Sequence, residues 1–162
     1  MSAFHNRKRL LPLLSFVCIA GMSASSHAAG ARTDFGVTVG PAILCRDKLD
    51  MKFMYDYLSG SFGAPYKREQ GAYWFRTKAQ LFGKDVTEVF VSDQSSEWEF
   101  VGALFKIKPD ELVKGLQTSD GLNFVKTELG YQYTPFKAQG LSEVMWQSNN
   151  AKMLCRHHVT PP

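Results

Sequence analysis

Two cysteines and two histidines hold most of the reactive chemistry of this chain. Cys45 and Cys155 remain once an N-terminal leader containing Cys18 is set aside, and His157 and His158 are the histidines outside that leader. An even cysteine count in an exported chain points to a disulfide. Two cysteines allow one intramolecular pairing. It closes a loop of about 110 residues, for which chain entropy gives roughly 4–5 kcal/mol. There is no Cys-x-x-Cys, so a thioredoxin-like redox role is not indicated. Met153, Cys155 and His157 alternate onto one strand face as a soft-metal set. The bridge would consume Cys155, however, and His157 and His158 point to opposite faces. The expectation is no metal and no cofactor.

Carboxylates are the next candidates. Glu97 and Glu99 flank Trp98 and share a strand face, with Glu88 and Asp93 near in sequence. A glycosidase needs two carboxylates about 5–10 Å apart across a cleft lined by stacking aromatics. Acidic pairs on strands are more often a solvated face. Ser59-Gly60-Ser61-Phe62-Gly63 resembles a nucleophile elbow but has Ser59 where glycine is required, and it follows a helix rather than a strand. No glycine-rich phosphate loop and no His-x-x-x-His pair is present. These absences favour a protein that is not an enzyme.

The aromatics say more. The strand from residue 99 carries Val101, Ala103, Phe105 and Ile107 on one face and Phe100 and Leu104 on the other, with Trp98 just before it. Both faces of a sheet built on it are therefore apolar. Either the second helical stretch covers the second face, or an aromatic patch is left for a partner. The candidate binding residues are Trp98, after the Gln94-Ser95-Ser96 turn, then Tyr66 in a turn and Tyr73 at a strand start. Trp and Tyr bury much area at low entropic cost, which is why they dominate interface hot spots.

The elements that must position these residues follow from period and punctuation. Gly40-Pro41 opens a helix running to Gly60, with Cys45, Leu49, Phe53 and Tyr57 four residues apart and Met54 and Leu58 widening the stripe. Three strands follow, over 72–78, 86–93 and 99–108, as an antiparallel meander. Pro109-Asp110-Glu111 starts a second helical stretch, and Ser119 caps a further helix ending at Gly130. Strands over 141–148 and 151–158 flank Asn149-Asn150, which suits a two-residue type I′ turn. That turn sets Trp146 against Met153, Val144 against Cys155 and Glu143 against Arg156. The face holding Val144, Trp146, Met153 and Cys155 is then the core face, and Glu143 is exposed. Cys45 and Cys155 thus point at one interior by separate arguments. The fold expected is α+β, an antiparallel sheet of about five strands with helices packed on it, in the order α-β-β-β-α-α-β-β.

Domain organisation is simple. A chain of 162 residues holds one ordinary domain, and 44% apolar and 21% charged residues mark it as globular. Residues 1–28 read as a signal peptide: Arg7, Lys8 and Arg9, an apolar run from Leu10 to Met22, then Ser26-His27-Ala28. The run is about 13 residues, short of the roughly 20 that span a bilayer. Residues 29–40 read as a flexible tail and 41–162 as a single domain with no membrane span. The formal charge of +4, less the three leader cations, is +1, too little for a nucleic-acid footprint. Pro65-Tyr66-Lys67 with Gln70-Gly71 is echoed by Pro135-Phe136-Lys137 with Gln139-Gly140, each linking a helix to a strand.

The segment from Cys45 to Phe75, through Phe62-Gly63-Ala64-Pro65-Tyr66 and Tyr73-Trp74-Phe75, resembles the small exported domains of the β-lactamase-inhibitor-protein type. It is also similar to the outer-membrane assembly lipoproteins of the SmpA/OmlA type. The chain departs from the latter in lacking a lipid-anchor cysteine. The resemblance implies a protein-binding scaffold and transfers no functional residue. The function expected is an exported, non-enzymatic module, periplasmic or secreted, that binds a protein partner. A small-ligand binder with a pocket between helix and sheet, and a small secreted hydrolase using Glu97 or Glu99, are the alternatives. Processing offers a direct check: mass spectrometry of exported protein should find a mature start near Ala29, and a retained Met1 would refute the leader.

Overall fold

Phe35, Val39 and Ile43 stand four residues apart and are almost fully buried in the computed structural model, which describes residues 34–127, 136–138 and 142–159. They form the inner face of a first helix, α1 (Phe35–Ile43). The expected tail over 29–40 is therefore helical from Phe35. Pro41 lies inside this helix rather than opening one. The N–H it lacks would have met the carbonyl of Val37, which sits on the exposed side. Burial of three large side chains outweighs the poor helix propensity of Gly36, Thr38 and Gly40.

The helix expected over 41–60 is instead two helices. The second, α2 (Met51–Phe62), starts where the Asp50 carboxylate accepts the Phe53 N–H at 2.9 Å. It buries Met54, Leu58 and Ser61 and ends at Gly63, whose φ of 83° favours glycine. The third, α3 (Pro109–Asp120), has proline in its first turn with Asp110 and Glu111, and closes on Gly121 in the left-handed region.

Eight strands make one sheet: β1 (Lys67–Glu69), β2 (Ala72–Leu81), β3 (Lys84–Ser92), β4 (Trp98–Phe105), β5 (Val125–Lys126), β6 (Phe136–Lys137), β7 (Ser142–Gln147) and β8 (Asn150–His158). Their spatial order is β1-β2-β3-β4-β8-β7-β6-β5, with every neighbouring pair antiparallel. The expected sheet of about five strands, in the order α-β-β-β-α-α-β-β, is corrected to eight strands and three helices among the described residues. Strands β1, β5 and β6 have two or three residues each, too few to show alternation in a sequence. The helix expected after Ser119 is likewise corrected: Ser119 belongs to α3, Val125–Lys126 is a strand, and residues 128–135 lie outside the described residues.

The C-terminal hairpin turns one residue earlier than expected. Ser148 and Asn149 adopt φ of 49° and 68° and form the turn. Val144 therefore faces Met153, Trp146 faces Ala151 and Ser142 faces Cys155. The slip is two residues across the pair, so each side chain keeps its expected face but changes partner. Trp146 ends near the tip and is only partly buried, whereas Val144, Met153 and Cys155 have no exposure. Glu143, expected to be exposed, is 3% exposed and sits between Lys137 at 2.9 Å and Arg156 at 3.0 Å. Lys137, which the hairpin register alone does not supply, comes from β6.

All three helices lie against one face of the sheet. Phe35, Val39, Leu58, Leu112 and Leu116 meet Phe75, Val89, Val101, Phe105 and Met153 there. The second face was a candidate for helical cover, but its cluster of Trp74, Phe90, Leu104 and Leu154 contains strand residues alone. Cationic side chains lie over it instead. Lys67 Nζ is 4.3 Å from the Trp74 ring centre and Lys152 Nζ is 4.8 Å from that of Phe90. Gly102 makes this cluster possible. A Cβ there would lie 2.2 Å from Phe90 Cζ and 2.7 Å from the Met153 carbonyl oxygen. Gly102→Ala should therefore cost about 1–3 kcal/mol by overpacking. Adding Phe90→Leu should recover part of it, as read by urea denaturation of the single and double variants.

Candidate binding site

The groove with the clearest aromatic lining lies where the N-terminal end of α2 meets the β3–β4 end of the sheet. Its volume is about 570 Å³. Tyr55 from α2, Tyr73 from β2 and Trp98 from β4 supply its aromatic wall, with Asp93 and Glu99 at the strand ends.

Each wall residue has a local cause. Tyr73 pairs in register with Val91 on the helix-facing side of β2, and its ring meets Tyr55 edge-on at 4.8 Å. Trp98 opens β4 opposite His158, and its backbone N–H donates to Ser96 Oγ at 3.0 Å. Its indole is 38% exposed, with the His158 ring edge-on at 4.9 Å and the Arg156 guanidinium 5.0 Å from its centre.

Asp93 holds the turn between β3 and β4. Its side chain is 2% exposed and takes Arg68 Nε at 2.5 Å. It also accepts the backbone N–H of Ser95 at 2.8 Å and the Ser95 hydroxyl at 2.6 Å. Burial alone would push this carboxyl up. The hydrogen bonds from Arg68 and Ser95, with the Arg68 charge, outweigh burial and hold it below the usual aspartate value.

The expected binding residues are thus split. Trp98 and Tyr73 line one groove. Tyr66 does not; it lies with the cations of the second face, its ring 4.5 Å from Arg76 and its hydroxyl donating to Glu88 Oε2 at 2.8 Å. Tyr55 and the Arg68–Asp93 pair escaped the sequence reading. Glu97 and Glu99 are both exposed, and Glu99 lines the groove.

The expected disulfide is present between Cys45 and Cys155, spanning 110 residues. His157 Nε2 lies 3.5 Å from Cys155 Sγ. Among the described residues, Cys45, Cys155 and His157 form the group whose types and spacing fit a metal, and the bridge occupies two of the three. No helix among those residues is long and apolar enough to cross a membrane. Comparison with protein-family models, with curated proteins and with solved structures finds no match to the chain.

The Asp93 cluster carries a pH dependence of known sign. Its folded pKa is depressed, so its stabilisation is complete above the unfolded value of about 4 and is lost as pH falls through the folded value. Arg68 is half exposed, which limits the effect. Asp93→Asn should cost about 1–2 kcal/mol at neutral pH. The loss should shrink as pH falls below about 4, where Asp93 of the unfolded wild type takes up a proton before that of the folded protein; a constant difference down to pH 2 would contradict this role.

Proposed function

We propose that this protein is an exported, non-enzymatic binding module, acting in the periplasm or outside the cell, whose partner is a protein. The observation that carries the reading is the open groove walled by Tyr55, Tyr73 and Trp98. Its one deeply buried carboxylate, Asp93, is held ionised by Arg68. General acid catalysis needs the reverse, a carboxyl raised towards neutrality. Partly exposed aromatics on a rigid sheet end are the usual anchors of protein interfaces. The basic, apolar and small-residue sequence of the first 28 residues supports export. The Cys45–Cys155 bond is compatible with an oxidising compartment.

A second reading has one observation in its favour. The groove lies between helix and sheet, and its volume of about 570 Å³ falls in the range of small-molecule sites. A small ligand would be enclosed and would protect Trp98 fluorescence from quenchers without adding mass. A protein partner would be retained in a pull-down from envelope extract and would shift the sedimentation of the module.

Trp98→Ala tests the lead reading. Because the indole is partly exposed, the melting temperature should stay nearly unchanged. Affinity for the captured partner should fall about thirtyfold, or roughly 2 kcal/mol. A large drop in melting temperature would return Trp98 to the core and remove it from the interface.

A further inference from the structure

Cys155 and His157 are two residues apart on β8, so their side chains share the helix-facing side of the sheet. Cys45 reaches the same point from the residues after α1. One ligand atom from each of the three lies within 4.8 Å of the others. Tetrahedral zinc takes sulfur at about 2.3 Å and imidazole nitrogen at about 2.0–2.1 Å, which puts neighbouring ligand atoms about 3.5–3.8 Å apart. The Cys155 Sγ to His157 Nε2 distance of 3.5 Å is already one edge of such a tetrahedron. Two strand residues and a residue next to a helix supply the donors, with Cys155 anchored in the core.

We propose that the reduced protein holds a zinc-class ion at Cys45, Cys155 and His157, so that the disulfide is the metal-free, oxidised form of a Cys₂His site. The balance is simple. A dithiol donor transfers two electrons and two protons to the Cys45–Cys155 bond, which opens to two thiols while the donor closes to its own disulfide. Zn²⁺ then displaces the two thiol protons and binds two thiolates and the neutral imidazole of His157. The fourth position is left to water or to a donor from outside the chain. Cys45 and His157 are partly exposed, which gives the ion a route in, and Cys155 is buried beneath them. His158 takes no part. It lies on the opposite face of β8 against Trp98 at 4.9 Å, and so provides an internal control.

The test uses the mature chain, reduced with a phosphine, freed of reductant and kept anaerobic. Co²⁺ is titrated as a spectroscopic probe, then displaced with Zn²⁺. The reduced chain should show a thiolate-to-cobalt band that saturates at one ion per chain, and the oxidised chain should show none. His157→Gln should weaken Zn²⁺ binding at least about tenfold, while His158→Gln should stay within twofold of wild type. If reduction unfolds the chain, Zn²⁺ should restore its native circular dichroism. Absence of the band in folded reduced protein, failure of Zn²⁺ to restore a reduced unfolded chain, or unchanged binding by His157→Gln would each overturn the site.

Discussion

The pairing of β4 with β8 is the contact on which the rest of the molecule depends. It runs without a break from Trp98 opposite His158 to Phe105 opposite Ala151. Without it the meander of β1 to β4 and the hairpin of β7 and β8 would be separate small sheets, each with two open edges. With it, Gly102 lies between Phe90 and β8, closing the face built on Trp74, Phe90, Leu104 and Leu154. On the other face, Val101, Ala103 and Phe105 join Met153 and Cys155 under the helices. Both clusters are therefore consequences of one register.

The candidate site is a product of the same pairing. Trp98 is the first residue of β4, and its partner is His158, the last residue of β8. The indole stays in place because His158 and Arg156 bracket it, and it stays reachable because the strands stop there. Asp93 fixes the turn that leads into it, tying that turn to β1 through Arg68. A sheet end that holds an accessible aromatic in place costs little ordering entropy on association.

Much of this was legible in the chain, and the failures have particular causes. Cys45 with Cys155 could be read because the even cysteine count beyond the expected leader and the strand parity of Cys155 agreed. The three long meander strands could be read from their alternation. The hairpin turn was misplaced because Ser148, Asn149 and Asn150 are adjacent turn formers, and local chemistry does not choose between overlapping pairs. The stripe Cys45, Leu49, Phe53, Tyr57 assumed one helix, but α1 ends at Ile43 and α2 starts at Met51, so Cys45 and Leu49 lie between helices. Phe53 ends 56% exposed, while Tyr55, off that stripe, reaches the groove. Glu143 looked exposed because Lys137 meets it only after β6 pairs with β7, a contact between strands too short to announce themselves.

The 110-residue span of the disulfide also orders events in time. The first cysteine of the pair is synthesised well before its mate, and at ordinary translation rates of about 5–20 residues per second the interval is on the order of ten seconds. Throughout that interval β8 does not exist, so neither cluster nor the central pairing can form. The nascent chain can hold α2 and a meander, but α1 has no Met153 or Cys155 to rest on. Folding must wait for the last strand, and its decisive contacts are non-local, the regime of slow folders. Until then Cys45 lacks its mate and β4 keeps an unpaired edge, so the covalent bond can only seal a sheet whose last strand has already docked.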